Sequence, residues 1–500
     1  MPSPTPTPHS SAIVISIDWS AIWTWLFLVV DIGLRVLALI WIPRNRRPQT
    51  SAAWLLAILF IPELGWLAFL LFGSRRVGRR RRVRQREVND FIAATTAGQD
   101  DVSHVREWPG WLPSIVQLNR TLGAMPLSGG NRFEYLPDYD AAIEAMTAAV
   151  RDAKRIVHVE FYIMSLDGTT RPFFDAMADA VRRGVVVRVL FDHVANLRIA
   201  GYRRTLRFLT AAGIDWRRML PLSLWPWAWL RPDLRNHRKL LIVDGDIAFT
   251  GSQNMIDSAY HRGRMARRGL RWKDLMVRFE GPIAAGIDAL FITDWYSETG
   301  DVLMDEVAAP RALAGPGTVD AQVVPSGPGF SGENNLRLFN SLLYAARHRV
   351  IITSPYFVPD DSMLYAITTA AQSGLDVQLF VSEISDQFMV FHAQRSYYEY
   401  LLKAGVRIWL YQAPTILHAK ALTIDDDVAV VGSSNMDMRS FSLNYEISVM
   451  VRSREFVERM REIEQAYRDA SRELTLDEWL ARPALSATFD NVMRLTAALQ

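Results

Sequence analysis

A chain of 500 residues is long enough for two or three domains, and its formal net charge of +3 excludes a protein that is polycationic as a whole. Cysteine does not occur, which excludes disulfides, thiolate metal sites and cysteine nucleophiles. Half of the residues are hydrophobic, an ordinary share, so membrane segments must be identified from local clustering. Five of the 56 basic residues are lysine, so a lysine in this chain suggests a specific chemical need.

Two apolar stretches follow a lead at residues 1–18, which is rich in Pro, Ser and Thr and is predicted to be disordered. Residues 20–42 and 52–72 are each long enough to cross a bilayer as a helix, and tryptophans cluster near their ends. The sequence therefore predicts a two-helix membrane hairpin. A pair of buried core helices is the alternative.

Polar residues lie inside both stretches. Asp31 and Arg35 are four residues apart, share a helix face and are expected to pair. Glu63 would lie near the same depth in an antiparallel hairpin, so we expect a polar clamp that joins the two helices. An alternative is that Pro62 and Glu63 break the second stretch into a shallow turn that does not span the membrane.

Arginines flank the apolar stretches unevenly. Three lie between the stretches, at Arg44, Arg46 and Arg47. Eight follow the second stretch, at Arg75, Arg76, Arg79, Arg80, Arg81, Arg82, Arg84 and Arg86. This asymmetry predicts that both ends of the hairpin are cytoplasmic. We expect the longer run to contact anionic headgroups, and a solvated linker is the alternative.

From about residue 110 the pattern is that of an alternating α/β protein. Val/Ile-rich runs predict strands at 157–163, 185–191, 350–354 and 377–381, and helices are predicted at 174–183 and 363–373. The Ala/Pro/Gly segment 308–317 is interpreted as a linker between two halves. The predicted domains are a membrane hairpin with its polybasic flank at 1–88, α/β domains at 110–307 and 318–480, and a C-terminal tail at 481–500.

The two halves repeat each other at one offset of 181 residues. The repeated positions are His237, Lys239, Asp244, Gly251, Ser252 and Asn254 in the first half, and His418, Lys420, Asp425, Gly432, Ser433 and Asn435 in the second. Six coincidences of residue type and spacing are very improbable by chance. The doubled pattern therefore predicts two half-sites that meet across a pseudo-two-fold axis.

The residue types favour chemistry on a phosphate diester. One neutral imidazole, from His237 or His418, can attack phosphorus while the other, protonated, donates to the leaving oxygen. Lys239 and Lys420 would offset charge in the transition state. We predict that Ser252, Asn254, Ser433 and Asn435 contribute donors to the phosphate. This arrangement requires no metal or other cofactor, and no separate cluster of carboxylates or histidines indicates one.

Asp244 and Asp425 complete the repeated catalytic motif, but their parity is opposite to that of the histidines. Each lies at a turn before a returning strand, so we expect them to stabilise the turn. The attacking histidine also needs a carboxylate on its other nitrogen. Glu446 is the candidate in the second half and Asp274 the candidate in the first, with surface carboxylates as the alternative.

At these residues the chain resembles the phospholipase D superfamily, whose signature is a doubled His-x-Lys-x4-Asp with Gly-Ser-x-Asn downstream. Within the superfamily it is most similar to bacterial cardiolipin synthases. The similar segments are residues 235–239, 353–359, 394–398, 432–440 and 444–446, together with 62–65 and 71–73 in the apolar stretches. The first half departs from many synthases in having Gly-Ser-Gln-Asn, which we interpret as a minor difference because the second half also has Gly-Ser.

The resemblance implies two α/β/α sandwiches with the active site at their interface. It also implies a covalent phosphatidyl-histidine intermediate, with His237 as the nucleophile. The implied reaction converts two phosphatidylglycerol molecules into cardiolipin and glycerol. Phosphatidylglycerol and anionic membrane lipid would be the partners, with no nucleic acid, at the bacterial inner membrane and with the catalytic domains in the cytoplasm.

Three other functions remain open from the sequence. The nearest is a phospholipase D that uses water or another alcohol as acceptor, and the others are a membrane-tethered nuclease and an inactive lipid-binding scaffold. A tryptophan-rich insert at 222–230 is interpreted either as core or as an interfacial segment that dips toward lipid. The candidates for lipid phosphate contacts are Arg198, Arg203, Arg204, Arg262, Arg264 and Arg395.

Overall fold

A computed structural model describes residues 19–44, 46, 48–73, 77–97, 108–222, 230–260, 267–303, 317–330 and 332–495. Several predicted features lie outside these residues. They are the lead at 1–18, most of the tryptophan-rich insert and of the 308–317 linker, the end of the C-terminal tail, and Arg47, Arg75, Arg76, Arg262 and Arg264.

The chain divides into two compact units, residues 1–74 and 75–500. The first unit contains helices α1 (Trp19–Trp41), α2 (Pro48–Phe60) and α3 (Pro62–Phe72). The helices of the second unit are α4 (Arg79–Thr95), α5 (Leu112–Gly123), α6 (Tyr139–Asp152), α7 (Arg171–Arg182), α8 (His193–Leu197), α9 (Tyr202–Ala211), α10 (Pro282–Thr299), α11 (Asn334–Ala345), α12 (Asp361–Gln372), α13 (Phe388–Arg395), α14 (Tyr398–Lys403), α15 (Met438–Ser442), α16 (Arg454–Asp469), α17 (Leu476–Leu480) and α18 (Ala484–Arg494).

The second apolar stretch is not one continuous helix. It is divided at Ile61, because Pro62 has no N–H to continue the hydrogen-bond ladder of α2 and begins α3 instead. At 1.5 Å per residue, helices of 13 and 11 residues reach only about 20 Å and 17 Å, less than the ~30 Å of a bilayer core. Among the described residues, only Ile22–Trp41 is a helix long and apolar enough to cross a membrane. The expected pair of spanning helices is thus not what the structure shows.

Aromatic packing joins the helices of the first unit. Asp31 and Arg35 form the predicted ion pair at 3.1 Å, but Glu63 is exposed in the first turn of α3 and the expected three-residue clamp is wrong. Instead, the Trp66 indole donates to the Leu34 carbonyl at 3.0 Å. This bond links α3 to α1 through an aromatic side chain rather than through a second carboxylate.

The second unit is built on a 16-stranded sheet, with two short pairs of strands beside it. The strands are β1 (Leu127–Leu136), β2 (Ile156–Phe161), β3 (Val186–Asp192), β4 (Asp215–Met219), β5 (Arg235–Asn236), β6 (Lys239–Val243), β7 (Ile247–Gly251), β8 (Arg271–Lys273), β9 (Met276–Glu280), β10 (Val319–Ser326), β11 (Arg349–Thr353), β12 (Phe357–Val358), β13 (Asp376–Ser382), β14 (Arg407–Tyr411), β15 (Thr415–Leu417), β16 (Ala421–Ile424), β17 (Val428–Gly432), β18 (Met436–Asp437), β19 (Asn444–Arg452) and β20 (Ser471–Leu474). The predicted strands and helices all occur, with ends that differ by a few residues.

The sheet displays the repeat directly. The first repeat has the strand order β1-β9-β7-β6-β2-β3-β4, and the second has the equivalent order β10-β19-β17-β16-β11-β13-β14. β1 and β10 pair antiparallel, so the two repeats share one continuous sheet across a pseudo-two-fold axis. This confirms the predicted duplication of an α/β fold.

Helices cover both faces of the sheet because successive strand side chains point in opposite directions. Leu240 and Ile242 pack in the same core as α10 and α16, which serves both repeats. Leu241 and Val243 pack on the other face beneath α6 and α7. The second repeat buries its corresponding face beneath α11 and α12. Each repeat is therefore a layered α/β/α structure.

Two arginines of the run pack against the end of α10 within this second unit. Arg81 forms an ion pair with Glu298, and Arg84 donates to the carbonyls of Tyr296 and Ser297 at the end of α10. Burial opposes the charge of Arg81, but Glu298 raises its pKa. These two arginines hold α4 in place, whereas Arg79, Arg80 and Arg86 are exposed. The run is thus neither wholly a lipid contact nor wholly a solvated linker.

Candidate active site

Each repeated histidine lies where its own repeat pairs with the other. β5, just before His237, runs parallel to the start of β19, and the His237 N–H donates to the Tyr445 carbonyl at 2.8 Å. β15, just before His418, runs parallel to β8, and the His418 N–H donates to the Lys273 carbonyl at 2.7 Å. Both histidines therefore follow a short inter-repeat strand, and each is followed by a core strand of its own repeat.

Because these strands pair between the repeats, each histidine contacts a carboxylate of the other repeat. The Nδ1 of His237 lies 3.0 Å from both carboxylate oxygens of Glu446. The Nδ1 of His418 lies 2.6 Å from Oδ1 of Asp274. Both predicted carboxylates therefore contact a histidine, but each contacts the histidine of the opposite half, which the sequence did not indicate. With Nδ1–H donating to a carboxylate, Nε2 of each neutral ring carries the lone pair.

Burial controls the charge of the two histidines. It lowers the pKa of His237 to about 4, with Glu446 opposing the shift and Lys239 adding to it. Burial followed by Lys420 lowers the pKa of His418 to about 4, with Asp274 opposing. Burial alone would raise the carboxylate pKa values, but the facing histidines leave those of Asp274 and Glu446 lowered. In the free site the carboxylates are therefore charged and the imidazoles neutral at pH 7.

The two motif lysines occupy equivalent buried positions. Lys239 Nζ donates to the carbonyl of His237, and Lys420 Nζ to that of His418, each at 2.5 Å. Burial lowers the pKa of Lys239 well below its usual value and that of Lys420 to about 8. Lys420 also lowers the pKa of Lys239, and Lys239 lowers that of His418, so the charges of the two half-sites act on each other.

The two serines differ from the prediction. Ser252 Oγ donates to Asp274 at 2.6 Å and accepts from Leu275 N–H, while Ser433 Oγ donates to Glu446 and accepts from Ile447 N–H. Each hydroxyl thus hydrogen-bonds the carboxylate that orients a histidine. They act on the carboxylates, not as the expected phosphate donors.

The glycine before each serine has a geometric reason. A Cβ at Gly251 would lie 2.2 Å from the Leu275 carbonyl oxygen, and one at Gly432 would lie 2.2 Å from that of Ile447. Only glycine allows the chain to approach the neighbouring strand this closely. This close backbone approach is what brings each serine to its carboxylate.

The asparagines of the motif are both buried. Asn254 Oδ1 accepts from the Ile163 N–H at 3.3 Å, which fixes its amide. The Asn435 N–H donates to Ser440 Oγ, and the Asn435 side-chain oxygen is buried without a hydrogen-bond partner among the described residues. A buried polar atom of this kind is costly unless a ligand or water completes it.

Asp244 and Asp425 lie away from the histidines, at the far ends of β6 and β16. Asp244 accepts from the backbone N–H groups of Lys154, Arg155 and Ile156. Asp425 accepts from those of Arg347, His348 and Arg349. The assignment of these residues to the catalytic set is therefore wrong in its literal sense, and the structural role expected from their parity is confirmed.

The structure adds aromatic residues that sequence reasoning missed. The ring of Tyr162 lies 4.9 Å from that of His237, and Trp272 and Tyr356 lie 4.7 and 6.4 Å from the ring of His418. Tyr162 directly follows β2, and Tyr356 lies just beyond β11 at the equivalent end. Their position at the ends of equivalent buried strands was the available signal.

A buried charge network also lies behind His237. Arg238 is fully buried, pairs with Asp294 and donates to the Glu446 carbonyl at 3.1 Å. Burial, then Asp294, raises the pKa of Glu160 well above its usual range. Asn236 donates to Glu160 at 2.9 Å. These contacts immobilise the backbone on both sides of His237.

The arginines predicted to contact lipid phosphate differ in their surroundings. Arg204 donates to the Leu166 carbonyl and Arg395 pairs with Asp490, so both have structural partners. Arg198 lies close enough to Tyr162 to lower its pKa, although burial raises that pKa to about 12 overall. Within the described ranges, no group of three or more His, Asp or Glu residues is arranged to hold a metal ion.

Comparison with known proteins identifies the class. The family described as "Cardiolipin synthase, PLD-like domain" matches residues 146–278 and 339–467, and a family described as "Phospholipase_D-nuclease N-terminal" matches 33–74. The crystal structure of phosphatidylserine synthase from Haemophilus influenzae Rd KW20 has the same fold, with a TM-score of 0.59 at 14% identity over 77% of this chain and 99% of that chain. The duplicated fold is therefore PLD-like.

The relatives in sequence are more specific. The chain is 31% identical to cardiolipin synthase A of Proteus mirabilis (strain HI4320) over 483 residues, which are 95% of this chain and 97% of that protein. It is 32% identical to cardiolipin synthase A of Klebsiella pneumoniae (strain 342) over 480 residues, 93% and 95% of the two chains. The chain belongs to the cardiolipin synthase family of PLD-like enzymes, which confirms the resemblance inferred from the motifs.

Proposed function

We propose that this protein transfers a phosphatidyl group from one phosphatidylglycerol to another, giving cardiolipin and glycerol through a phosphatidyl-histidine intermediate. The observation that carries this proposal is the pair of buried histidines, each with Nδ1 on a carboxylate of the opposite repeat. That arrangement leaves two Nε2 atoms available for a nucleophile and for an acid–base group. The full-length similarity to cardiolipin synthase A proteins supports the choice of substrate.

In the first step, Nε2 of His237 attacks phosphorus and the bond from phosphorus to the glycerol oxygen breaks. His418, protonated at Nε2, gives its proton to that oxygen, and glycerol leaves. The low pKa of His418 belongs to the free site. An anionic phosphodiester raises that pKa on binding, because the negative charge favours the imidazolium.

In the second step, the hydroxyl of another phosphatidylglycerol transfers its proton to His418 and attacks phosphorus. The N–P bond then breaks, cardiolipin leaves and His237 is restored. Lys239 and Lys420 offset the charge on the non-bridging oxygens, and Asn254 and Asn435 donate to them. Because these side chains supply the donors and the positive charge, the proposal includes no metal or other cofactor.

The proposal extends to organisation and location. Residues 110–307 and 318–480 would form the two catalytic halves, 1–88 the membrane-associated region with its basic flank, and 481–500 a tail. We propose that the protein resides in the bacterial inner membrane, with the catalytic unit on the cytoplasmic side, where arginines follow the apolar segments. Its partners would be phosphatidylglycerol and anionic lipid rather than nucleic acid.

The decisive experiment follows lipid products and the covalent intermediate together. Purified protein in phosphatidylglycerol nanodiscs should form cardiolipin and free glycerol, and His237→Ala and His418→Ala should each abolish transfer. With phosphatidyl-labelled substrate and a rapid denaturing quench at neutral pH, which preserves the acid-labile N–P bond, label should appear on His237 and not on His418. Phosphatidic acid as the main product would favour the phospholipase D alternative. Turnover above a tenth of wild type in either variant would contradict the two-histidine mechanism.

A further inference from the structure

Two helices near the end of the chain present an apolar surface. α13 and α18 pack together, with the rings of Phe388 and Phe489 5.8 Å apart. On the outward side, Leu485 is 85% exposed and Phe388 is 64% exposed. Met389, Val492 and Leu495 are also exposed. We call these five exposed side chains the outer apolar surface: Phe388, Met389, Leu485, Val492 and Leu495.

A buried charge cluster holds this surface in place. The Asp490 carboxylate is fully buried beneath it and accepts from His392 at 2.6 Å, Arg482 at 2.8 Å and Arg395 at 3.3 Å. Three partners from two segments converge on one residue of α18. The large apolar side chains are therefore exposed on a fixed pair of helices rather than on a frayed end.

The charges around the surface select the kind of partner. Asp490 is the only acidic residue of α13 and α18, and it faces inward. Arg494, at the end of α18, is partly turned toward the protein, because its guanidinium lies 4.5 Å from the centre of the buried Tyr397 ring. An apolar face whose two helices expose no carboxylate is suited to the interface of an anionic bilayer, where such a face lies about 5–10 Å deep.

The surface also lies next to the candidate active site. Phe388 follows Asp386 by two residues, so their Cα atoms are within about 8 Å. Asp386 accepts from the Tyr356 hydroxyl at 2.7 Å, and the Tyr356 ring is 6.4 Å from that of His418. The acyl chains of a phospholipid are only a few bonds from its phosphorus. When the phosphate of a lipid reaches His418, its acyl chains must therefore lie close to this border of the site, and they need an apolar environment there.

We propose that the outer apolar surface docks on the acyl–headgroup boundary of an anionic bilayer and holds the mouth of the active site against its lipid substrate. The proposal rests on the function proposed above, because a lipid substrate is what requires the site to open at a membrane. It assigns to α13 and α18 a role separate from that of the apolar helix Ile22–Trp41.

The lack of native cysteine permits a direct test on the full chain. Leu485→Cys and Phe388→Cys, each labelled with an environment-sensitive fluorophore, would be placed in nanodiscs of phosphatidylglycerol and phosphatidylcholine. Emission should shift to the blue and be quenched by lipids that carry a nitroxide on the upper acyl chain. Tyr344→Cys is a matched control at 62% exposure. It lies near the end of α11, at the side of the sheet where β11 begins, opposite the site, and should remain unquenched.

The same measurement in the His418→Ala background separates this proposal from the proposed function, because it requires no turnover. Absence of lipid quenching at both positions would overturn the docking surface even if the enzyme makes cardiolipin. A blue shift without quenching, together with a doubled mass in detergent, would instead indicate a second copy of the chain and would also overturn it.

An activity measurement gives an independent check. Leu485→Ser combined with Val492→Ser should raise the apparent KM for phosphatidylglycerol in vesicles and leave turnover of a monomeric short-chain phosphatidylglycerol unchanged. Tyr344→Ser should alter neither substrate. An equal loss on both substrates in the double variant would show damage to the site itself and contradict docking.

Discussion

His418 and Asp274 belong to different repeats, yet the Nδ1 of His418 lies 2.6 Å from the Asp274 carboxylate. The parallel pairing of Thr415–Leu417 with Arg271–Lys273 brings them together. His237 and Glu446 are joined in the same way by the pairing of Arg235–Asn236 with Asn444–Tyr445. Neither repeat therefore completes its own histidine, and separate halves are expected to be inactive.

Asp274 and Glu446, the carboxylates that each contact the histidine of the other repeat, should both be needed for turnover. We expect Asp274→Asn and Glu446→Gln to lower kcat by on the order of 100-fold, because an imidazole that loses its acceptor loses its tautomer and position. Nitrogen NMR of labelled histidine should show that Glu446→Gln changes the Nδ1 signal of His237 and leaves that of His418 in place. Asp376→Asn, on a surface carboxylate paired with Arg349, is the control. The reverse NMR pattern would contradict the crossed pairing.

The motif lysines should not tolerate arginine. Each Nζ is buried and within 2.5 Å of its histidine's carbonyl, which leaves no space for a planar guanidinium. We expect Lys239→Arg and Lys420→Arg to lower initial rates by roughly 100-fold through displacement of the phosphate. Lys403→Arg, at an exposed Glu399 pair, should be neutral. Near-normal rates in folded motif variants would show that these lysines supply only diffuse charge.

Activity should depend on the charge of Lys420. Burial lowers the pKa of this ammonium to about 8, so it is charged below that pH and neutral above it. We therefore expect kcat/KM, which reports the free enzyme, to fall as pH rises through about 8. The corresponding limb in kcat should lie higher, because bound phosphate favours the charged form. The residual activity of Lys420→Arg should not show this fall with rising pH. If the fall persists in the variant, it belongs to the titration of another group.

The two turn aspartates should affect stability rather than chemistry. Asp244 accepts three backbone N–H groups and has a positive φ of 54°. We expect Asp244→Ala to lower the free energy of unfolding by about 1–3 kcal/mol, since it leaves those donors without their acceptor. Asp244→Asn should cost less, because its amide oxygen still accepts and Asn tolerates this backbone region. Denaturant titration with specific activity of the folded protein separates the effects. A large loss of kcat in fully folded Asp244→Asn would place the residue in the site.

The local sequence pattern was sufficient to identify most residues of the candidate active site. The offset of 181 residues identified both half-sites, and the period of two with turn residues located the strands around them. Parity alone separated Asp244 and Asp425 from the histidines. Spacing did not reveal that Ser252 and Ser433 face carboxylates, because that contact depends on Gly251 and Gly432 lying against a neighbouring strand.

By itself, the sequence determined the duplication, the α/β layers and the residues able to act on a phosphodiester, because these depend on residue type, periodicity and short-range spacing. Only the tertiary structure decided which carboxylate serves which histidine, since that follows from strand register between segments more than 140 residues apart. It also decided that the stretch before Phe72 forms two short helices, and that α13 and α18 leave an apolar surface exposed. Such outcomes depend on which surfaces meet in three dimensions, and hydrophobic pattern along the chain does not contain that information.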